Sequence, residues 1–137
     1  MLPDSAGGYL AYWMLFVSIL ALFNTIQNFV TLSLTKQIYS ARPDQVTALT
    51  SRTFAIWTLL SAIVRIYAAY NITEVNLYQI AIWTYIIAWL HFVSEFIIYK
   101  SAKIGPGWLS PVIVSSLSLF WMLSQYNYYT QQNIRKY

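Results

Sequence analysis

The 137 residues include no cysteine, which excludes disulfides, thiolate nucleophiles and thiolate metal sites. Histidine occurs once, at position 91, and acidic residues only four times. A membrane diiron oxygenase needs many histidines, and a single-metal site usually needs three or more His, Cys or carboxylate ligands. Four glycines and no strand pattern leave dinucleotide and P-loop fingerprints without support. A serine hydrolase would have to recruit His91, yet no serine within the apolar stretches has a GxSxG context or a matched third partner. Charged residues make up 9% of the chain, against about 25% in an average soluble protein. The eight lysines and arginines are scattered, all but Arg65 over loops and ends, which gives no nucleic-acid footprint. These absences predict neither intrinsic enzyme activity nor a bound cofactor or metal.

Apolar sequence is abundant, at 58% hydrophobic residues with a mean hydropathy of +0.52. It is concentrated in four stretches, Tyr9–Thr31, Thr53–Tyr70, Leu77–Tyr99 and Trp108–Tyr129. Each is near the ~20 residues that a helix needs to cross a ~30 Å hydrocarbon core, where backbone groups must be satisfied internally. The expected fold is an all-α membrane protein, four transmembrane helices in one bundle, with residues 1–137 forming a single integral membrane domain. Met1-Leu2-Pro3-Asp4 lacks the positive n-region of a signal peptide, so the first span is expected to stay in the mature protein. Pro43-Asp44 reads as a helix start. Tyr39, Tyr99, Trp108, Tyr126 and Tyr128 fall near span ends, where aromatic rings anchor at headgroup level. The tail, rich in Tyr, Gln and Asn, is expected to fray there.

With four spans, both termini and the 70–77 turn share one side, and the 32–52 and 100–107 connections share the other. The second group carries Lys36, Arg42, Arg52, Lys100 and Lys103. The first carries Arg135 and Lys136 with the acids Asp4 and Glu74. The positive-inside rule therefore predicts cytosolic loops and lumenal termini.

Each span carries a stripe of small or polar residues at helical spacing. The stripes are Asn24, Gln27, Asn28 and Thr31 in the first, and Thr58, Ser61, Ala62, Arg65 and Ala69 in the second. Thr84, Ala88, His91 and Glu95 form the third, and Pro111, Ser115, Ser118, Met122 and Gln125 the fourth. Such stripes pack membrane helices, with interhelical hydrogen bonds contributing about 0.6 kcal/mol each on average. Ionised groups need more, since one near mid-bilayer costs at least ~2.5–3.5 kcal/mol. Depth separates Arg65 from Glu95 and predicts a polar layer of Glu95 with Arg52, Asn24, Gln27, Asn28 and Ser110. Arg52 and Arg65 point about 140° apart on one helix, so Arg52 is expected to turn toward Glu95. Arg65 is expected to snorkel to the lumenal interface or to face a partner chain. His91, one turn from Glu95, is read either as a structural contact to that carboxylate or to the first-helix amides, or as an ionisable relay.

The string Arg52-Thr53-Phe54-Ala55-Ile56-Trp57-Thr58-Leu59-Leu60-Ser61, followed by Arg65, resembles the second-helix signature of the ergosterol biosynthetic protein 28 family. Further matching pieces are Leu77-Tyr78, Trp83-Thr84, Ala88, His91-Phe92, Ser94-Glu95 and Tyr99 in the third helix. Asn24-Thr25 and Gln27 match in the first, and Pro111 opens the fourth. The resemblance implies a non-catalytic protein of the endoplasmic reticulum that tethers the enzymes of sterol C-4 demethylation. Those are a methyl oxidase, a decarboxylating 3-β-hydroxysteroid dehydrogenase and a 3-keto reductase. The chain ends Arg135-Lys136-Tyr137, unlike members with a dilysine-like retrieval tail. Arg52, Trp57, Arg65, His91 and Glu95 are then the residues expected to order the bundle. Outward aromatic faces and the two cytosolic loops would meet partners, and self-association into a dimer is expected. Two rival readings are a small proton-coupled four-helix transporter centred on Glu95 and a sterol-binding handover protein.

Overall fold

From Leu10 to Val30 the sequence has no proline, glycine or charge, and a computed structural model, which describes residues 2–132, makes this run one helix, α1. The tail Arg135-Lys136-Tyr137 lies outside the described residues. After α1 the chain turns at Thr31, whose hydroxyl accepts the Ser33 N–H at 3.2 Å, and forms a short helix α2 (Ser33–Ile38). The sequence had given no sign of α2 as a separate element. Pro43-Asp44 begins a 3₁₀ turn, Pro43–Gln45, and not the next long helix. That helix, α3, runs Ala48–Tyr70 and starts on Thr47, whose Oγ1 accepts the Thr50 N–H at 3.2 Å, an N-cap bond. Three residues of non-helical chain separate it from α4 (Val75–Ile97) up to its own cap, Glu74. Helix α4 ends where Lys100 adopts φ +56°, the left-handed conformation that terminates helices.

The fourth long helix, α5, runs Pro106–Ser124 with Pro106 in its first turn, where the missing N–H costs nothing. Pro111 therefore lies inside the helix instead of opening it. The expected fourth span to Tyr129 is broken at Gln125, whose φ of -110° and ψ of 18° leave the helical region, and α6 (Tyr126–Thr130) follows as a separate helix. Tyr129 in α6 is fully buried, so this part of the tail is packed and not frayed. Helices α1, α3, α4 and α5 are each long and apolar enough to cross a membrane, and no strand occurs among the described residues.

Helix α1 packs most intimately on α3, α3 on α4 and α4 on α5, while α5 returns to α1 through only a sparse contact. The α1–α3 seam is made of small residues. Ala11, Ser18, Ala21 and Thr25 are buried on one helix and Ala55, Ala62 and Ala69 on the other, the composition that lets membrane helices approach closely. Thr25 Oγ1 bonds the Ala21 carbonyl at 2.9 Å and reaches the Ala55 carbonyl at 3.5 Å. One apolar cluster, around Met14, Tyr78, Tyr85, Met122 and Tyr129, fills the end of the bundle that carries the 71–74 turn. A second, around Ile38, Ala88, Phe92 and Trp108, fills the opposite end under α2.

Helix α2 lies against the start of α5 at Gly107, where an added Cβ would stand 2.8 Å from the Gln37 backbone. Gly107→Ala must push the two segments apart, and such overpacking costs about 1–3 kcal/mol. The melting midpoint in mild detergent is expected to fall. Gly105→Ser, where a Cβ meets nothing closer than 4.0 Å and the residue caps α5, should leave the midpoint unchanged or raise it.

Candidate functional site

The last carbonyls of a helix have no partner within it, and near the end of α1 one of them finds a donor on α3 while the side chain of the same residue finds one on α2. Ser51 Oγ on α3 donates to the Asn28 carbonyl at 2.7 Å, and Thr35 Oγ1 on α2 donates to Asn28 Oδ1 at 2.6 Å. The two hydroxyls lie 3.1 Å apart, and all three residues are buried. Asn28 thus joins α1, α2 and α3 at a single knot, although its Nδ2 makes no hydrogen bond. Its neighbours in the sequence stripe do something else. Gln27 is exposed, and its carbonyl takes the Thr31 N–H that closes α1.

Beside this knot stands an aromatic cage. The Tyr39 hydroxyl, just past α2, shares a hydrogen bond with His91 Nε2 on α4. Trp57 on α3 packs its ring 5.1 Å from the imidazole and 5.4 Å from Phe54, with Phe92 closing the group. Tyr39 is thus held by a tertiary contact. His91 bonds neither Glu95 nor the first-helix amides. Burial, and then the nearby Glu95 charge, raise the Tyr39 pKa above its ordinary value and hold the phenol protonated.

The expected layer around Glu95 does not form. Glu95 is half-buried and accepts from Ser101 Oγ, while its backbone carbonyl takes the N–H groups of Ser101 at 2.8 Å and Ala102 at 3.3 Å. It therefore holds the loop after α4, and Ala41 N–H donates to the Ser101 carbonyl at 3.1 Å, tying that loop to the one after α2. Arg52 is exposed and does not turn to Glu95. In one turn-and-loop arrangement the local Ser101 lies closer to the carboxylate than any cation on a neighbouring helix.

Arg65 neither snorkels nor faces outward. It is buried, donating from Nε to Thr84 Oγ1 at 3.1 Å and from Nη2 to the Thr84 carbonyl at 3.4 Å, with Cζ 4.0 Å from the Tyr85 ring centre. Ser61, Ala62 and Ala69 are buried on the same helix, so the phase that places Arg65 among small residues turns it toward α4. The Tyr85 hydroxyl lies beside Ser118 without a well-formed hydrogen bond. Ser118 instead accepts from Trp13 Nε1 at 2.9 Å.

Arg65 also lines a groove of about 400 Å³ that opens where α1 and α5 stand apart. Asn24 and Ser110, assigned by sequence to the Glu95 layer, line this groove instead, as does Trp57. Among the residues singled out from the sequence, Trp57 and His91 meet each other, Arg65 meets Thr84, and Asn28 builds a separate knot. Asn24, Gln27, Arg52 and Glu95 join none of these groups. Sequence reasoning missed Thr35, Ser51 and Ser101, whose only signal is a small hydroxyl near a span end.

A family profile described as "Erg28 like protein" matches residues 10–120. Ergosterol biosynthetic protein 28 of Schizosaccharomyces pombe is 48% identical over 125 residues, covering 91% of this chain and 89% of that protein. The chain belongs to the Erg28 family. The Candida albicans protein of the same name is 43% identical over 129 residues, covering 94% of each chain. The human homolog is 41% identical over 112 residues, covering 81% of this chain and 80% of the human one. No solved structure matches the chain.

Two outcomes are expected of this Erg28 family bundle. Thr35→Val keeps the shape of the side chain but strands Asn28 Oδ1, so stability should fall by about 1–3 kcal/mol, read as a lower melting midpoint. The Tyr39 phenol keeps its proton in the fold after the unfolded chain has released it, so its contribution is lost as pH rises above about 10. Tyr39→Phe should melt lower than the parent at neutral pH and show a flatter decline above that pH.

Proposed function

We propose that this chain is a non-catalytic scaffold of the endoplasmic reticulum membrane that tethers the enzymes of sterol C-4 demethylation. Membership of the Erg28 family carries the reading, because the similar proteins are named for ergosterol biosynthesis. The geometry supports it. Polar side chains are committed to joining helices at the Asn28 knot and the Tyr39–His91 contact, and no three His, Cys, Asp or Glu side chains come together among the described residues. Holding successive enzymes in one assembly raises the effective concentration of a membrane-dissolved intermediate at the next active site.

The partner enzymes, a methyl oxidase, a decarboxylating 3-β-hydroxysteroid dehydrogenase and a 3-keto reductase, are expected to meet outward aromatic faces and the two connected loops. Helix α2 with the 3₁₀ turn, and the loop after α4, occupy one end of the bundle and present Lys36, Arg42, Lys100 and Lys103. That end is the cytosolic one under the positive-inside rule, which leaves the 71–74 turn and α6 on the lumenal side. A dimer is part of the same proposal, since exposed apolar residues such as Phe16, Trp83 and Phe120 leave ample helix surface for a second copy. A proton-coupled transporter centred on Glu95 finds less support, because that carboxylate sits at the end of α4 and bonds its own following loop.

Affinity purification of the tagged chain from its own cells in mild detergent tests the scaffold. The three enzymes should co-purify, and Glu95→Gln, which loosens the loop after α4, should lower their recovery; recovery of the chain alone would sink the proposal. Orientation is checked separately on the cysteine-free background. A membrane-impermeant maleimide should label Lys103→Cys in sealed microsomes and Glu74→Cys only after permeabilisation.

A further inference from the structure

The groove between α1 and α5 is apolar along most of its walls, with Leu20, Phe23, Phe54, Phe92 and Val114 among its lining residues. Its volume of about 400 Å³ falls in the range of pockets that enclose drug-sized molecules. On α3 the lining runs from Phe54 to Arg65, about 16 Å along a helix axis at 1.5 Å per residue. It is long, narrow and open toward lipid, because α1 and α5 touch only sparsely and the rim residues Leu20 and Phe23 are exposed.

The deep end of the groove is cationic. Arg65 is 8% exposed, and its partners are the Thr84 hydroxyl and carbonyl and the Tyr85 ring. None of the four acidic side chains is among them. Asp4 takes the Ala6 N–H and Glu95 takes Ser101, while Asp44 and Glu74 are exposed in turns. A guanidinium carries five N–H donors in a fork that matches a carboxylate. Thr84 occupies Nε and Nη2 only. A full positive charge held within a membrane-length helix is costly without an anion, and the apolar walls around it offer a long body rather than a second charge.

We propose that this groove is a lipid-accessible binding site for a carboxylated amphiphile, whose acid group pairs with Arg65 and whose apolar body lies between α1 and α5. The small hydroxyl of Ser61, one helical turn from Arg65 and also in the lining, supplies a further donor. A ligand enters sideways from the bilayer, so no aqueous mouth is required. The site stands apart from the tethering reading, because the isolated chain suffices to form it.

Saturation binding of labelled cholesteryl hemisuccinate to the purified full chain in nanodiscs tests the site. One molecule should bind per chain, ergosterol should not compete at the same concentration, and Arg65→Gln should weaken binding by about tenfold or more, as the loss of one charge-assisted hydrogen bond requires. Val114→Trp fills the groove from α5 while Arg65 and Thr84 keep their own side chains. It should also abolish binding, with helix content retained by circular dichroism, and it keeps the test intact if Arg65→Gln fails to fold. Competition by oleate supports the site and names a fatty acid as the source of the carboxylate, while its failure to compete supports a sterol acid. Non-saturable partitioning, equal competition by ergosterol, or binding indifferent to Val114→Trp would overturn the proposal. None of these outcomes bears on whether the enzymes co-purify.

Discussion

In a membrane the hydrophobic effect does not press helices together, so contact must come from shape and from polar groups that meet across the interface. Small residues on facing sides of α1 and α3 provide the shape here. Ala11, Ala21, Ala55, Ala62 and Ala69 are buried with almost no side-chain volume between the two backbones. The closeness of this pair has a cost elsewhere. Helix α1 is drawn onto α3, α5 is held on α4, and the ring of four cannot close tightly between α1 and α5. The groove is the space left by that unequal packing, and the aromatic cluster at one end and α2 at the other keep it from collapsing.

Polar groups divide the bundle into two ends with different work. At the α2 end, Asn28, Thr35 and Ser51 satisfy one another, and Tyr39 meets His91 inside a ring of aromatic side chains. These bonds fix α2 and the two connected loops against the long helices, giving a defined surface where a bare bundle would expose only helix ends. Nearer the opposite end, Tyr78 donates to the Met122 carbonyl at 2.6 Å, one of the unpaired carbonyls in the last turn of α5. Arg65 lies between these regions, deep in the groove and turned toward α4.

The long helices were legible because length and apolarity alone decide whether a segment can cross a bilayer. Helical phase also separated Arg52 from Arg65 and set Arg65 among Ser61, Ala62 and Ala69, all of them buried. What phase does not contain is the identity of the neighbour toward which a face is turned. Asn24, Gln27 and Asn28 occupy one stripe, yet only Asn28 meets the hydroxyls of Thr35 and Ser51, because α2 folds back over that one position. The Tyr39–His91 contact spans 52 positions and depends on the path of a loop that hydropathy does not describe. Gln125, where α5 gives way to α6, looked like one more member of a polar stripe.

Residues 6–10 are fastened to residues 128–132. The Tyr129 hydroxyl reaches the Leu10 N–H at 3.4 Å, while the Tyr128 hydroxyl and Gln132 Nε2 both donate to the Ala6 carbonyl, at 3.0 and 2.9 Å. These bonds join residues more than a hundred positions apart, from the first helix made to the last. During synthesis α1 is made before the other helices, but the groups that bind its N-terminal end emerge more than a hundred residues later. The order of manufacture therefore runs opposite to the logic of closure, and α1 waits for α6 and the residue beyond it to lock it in place.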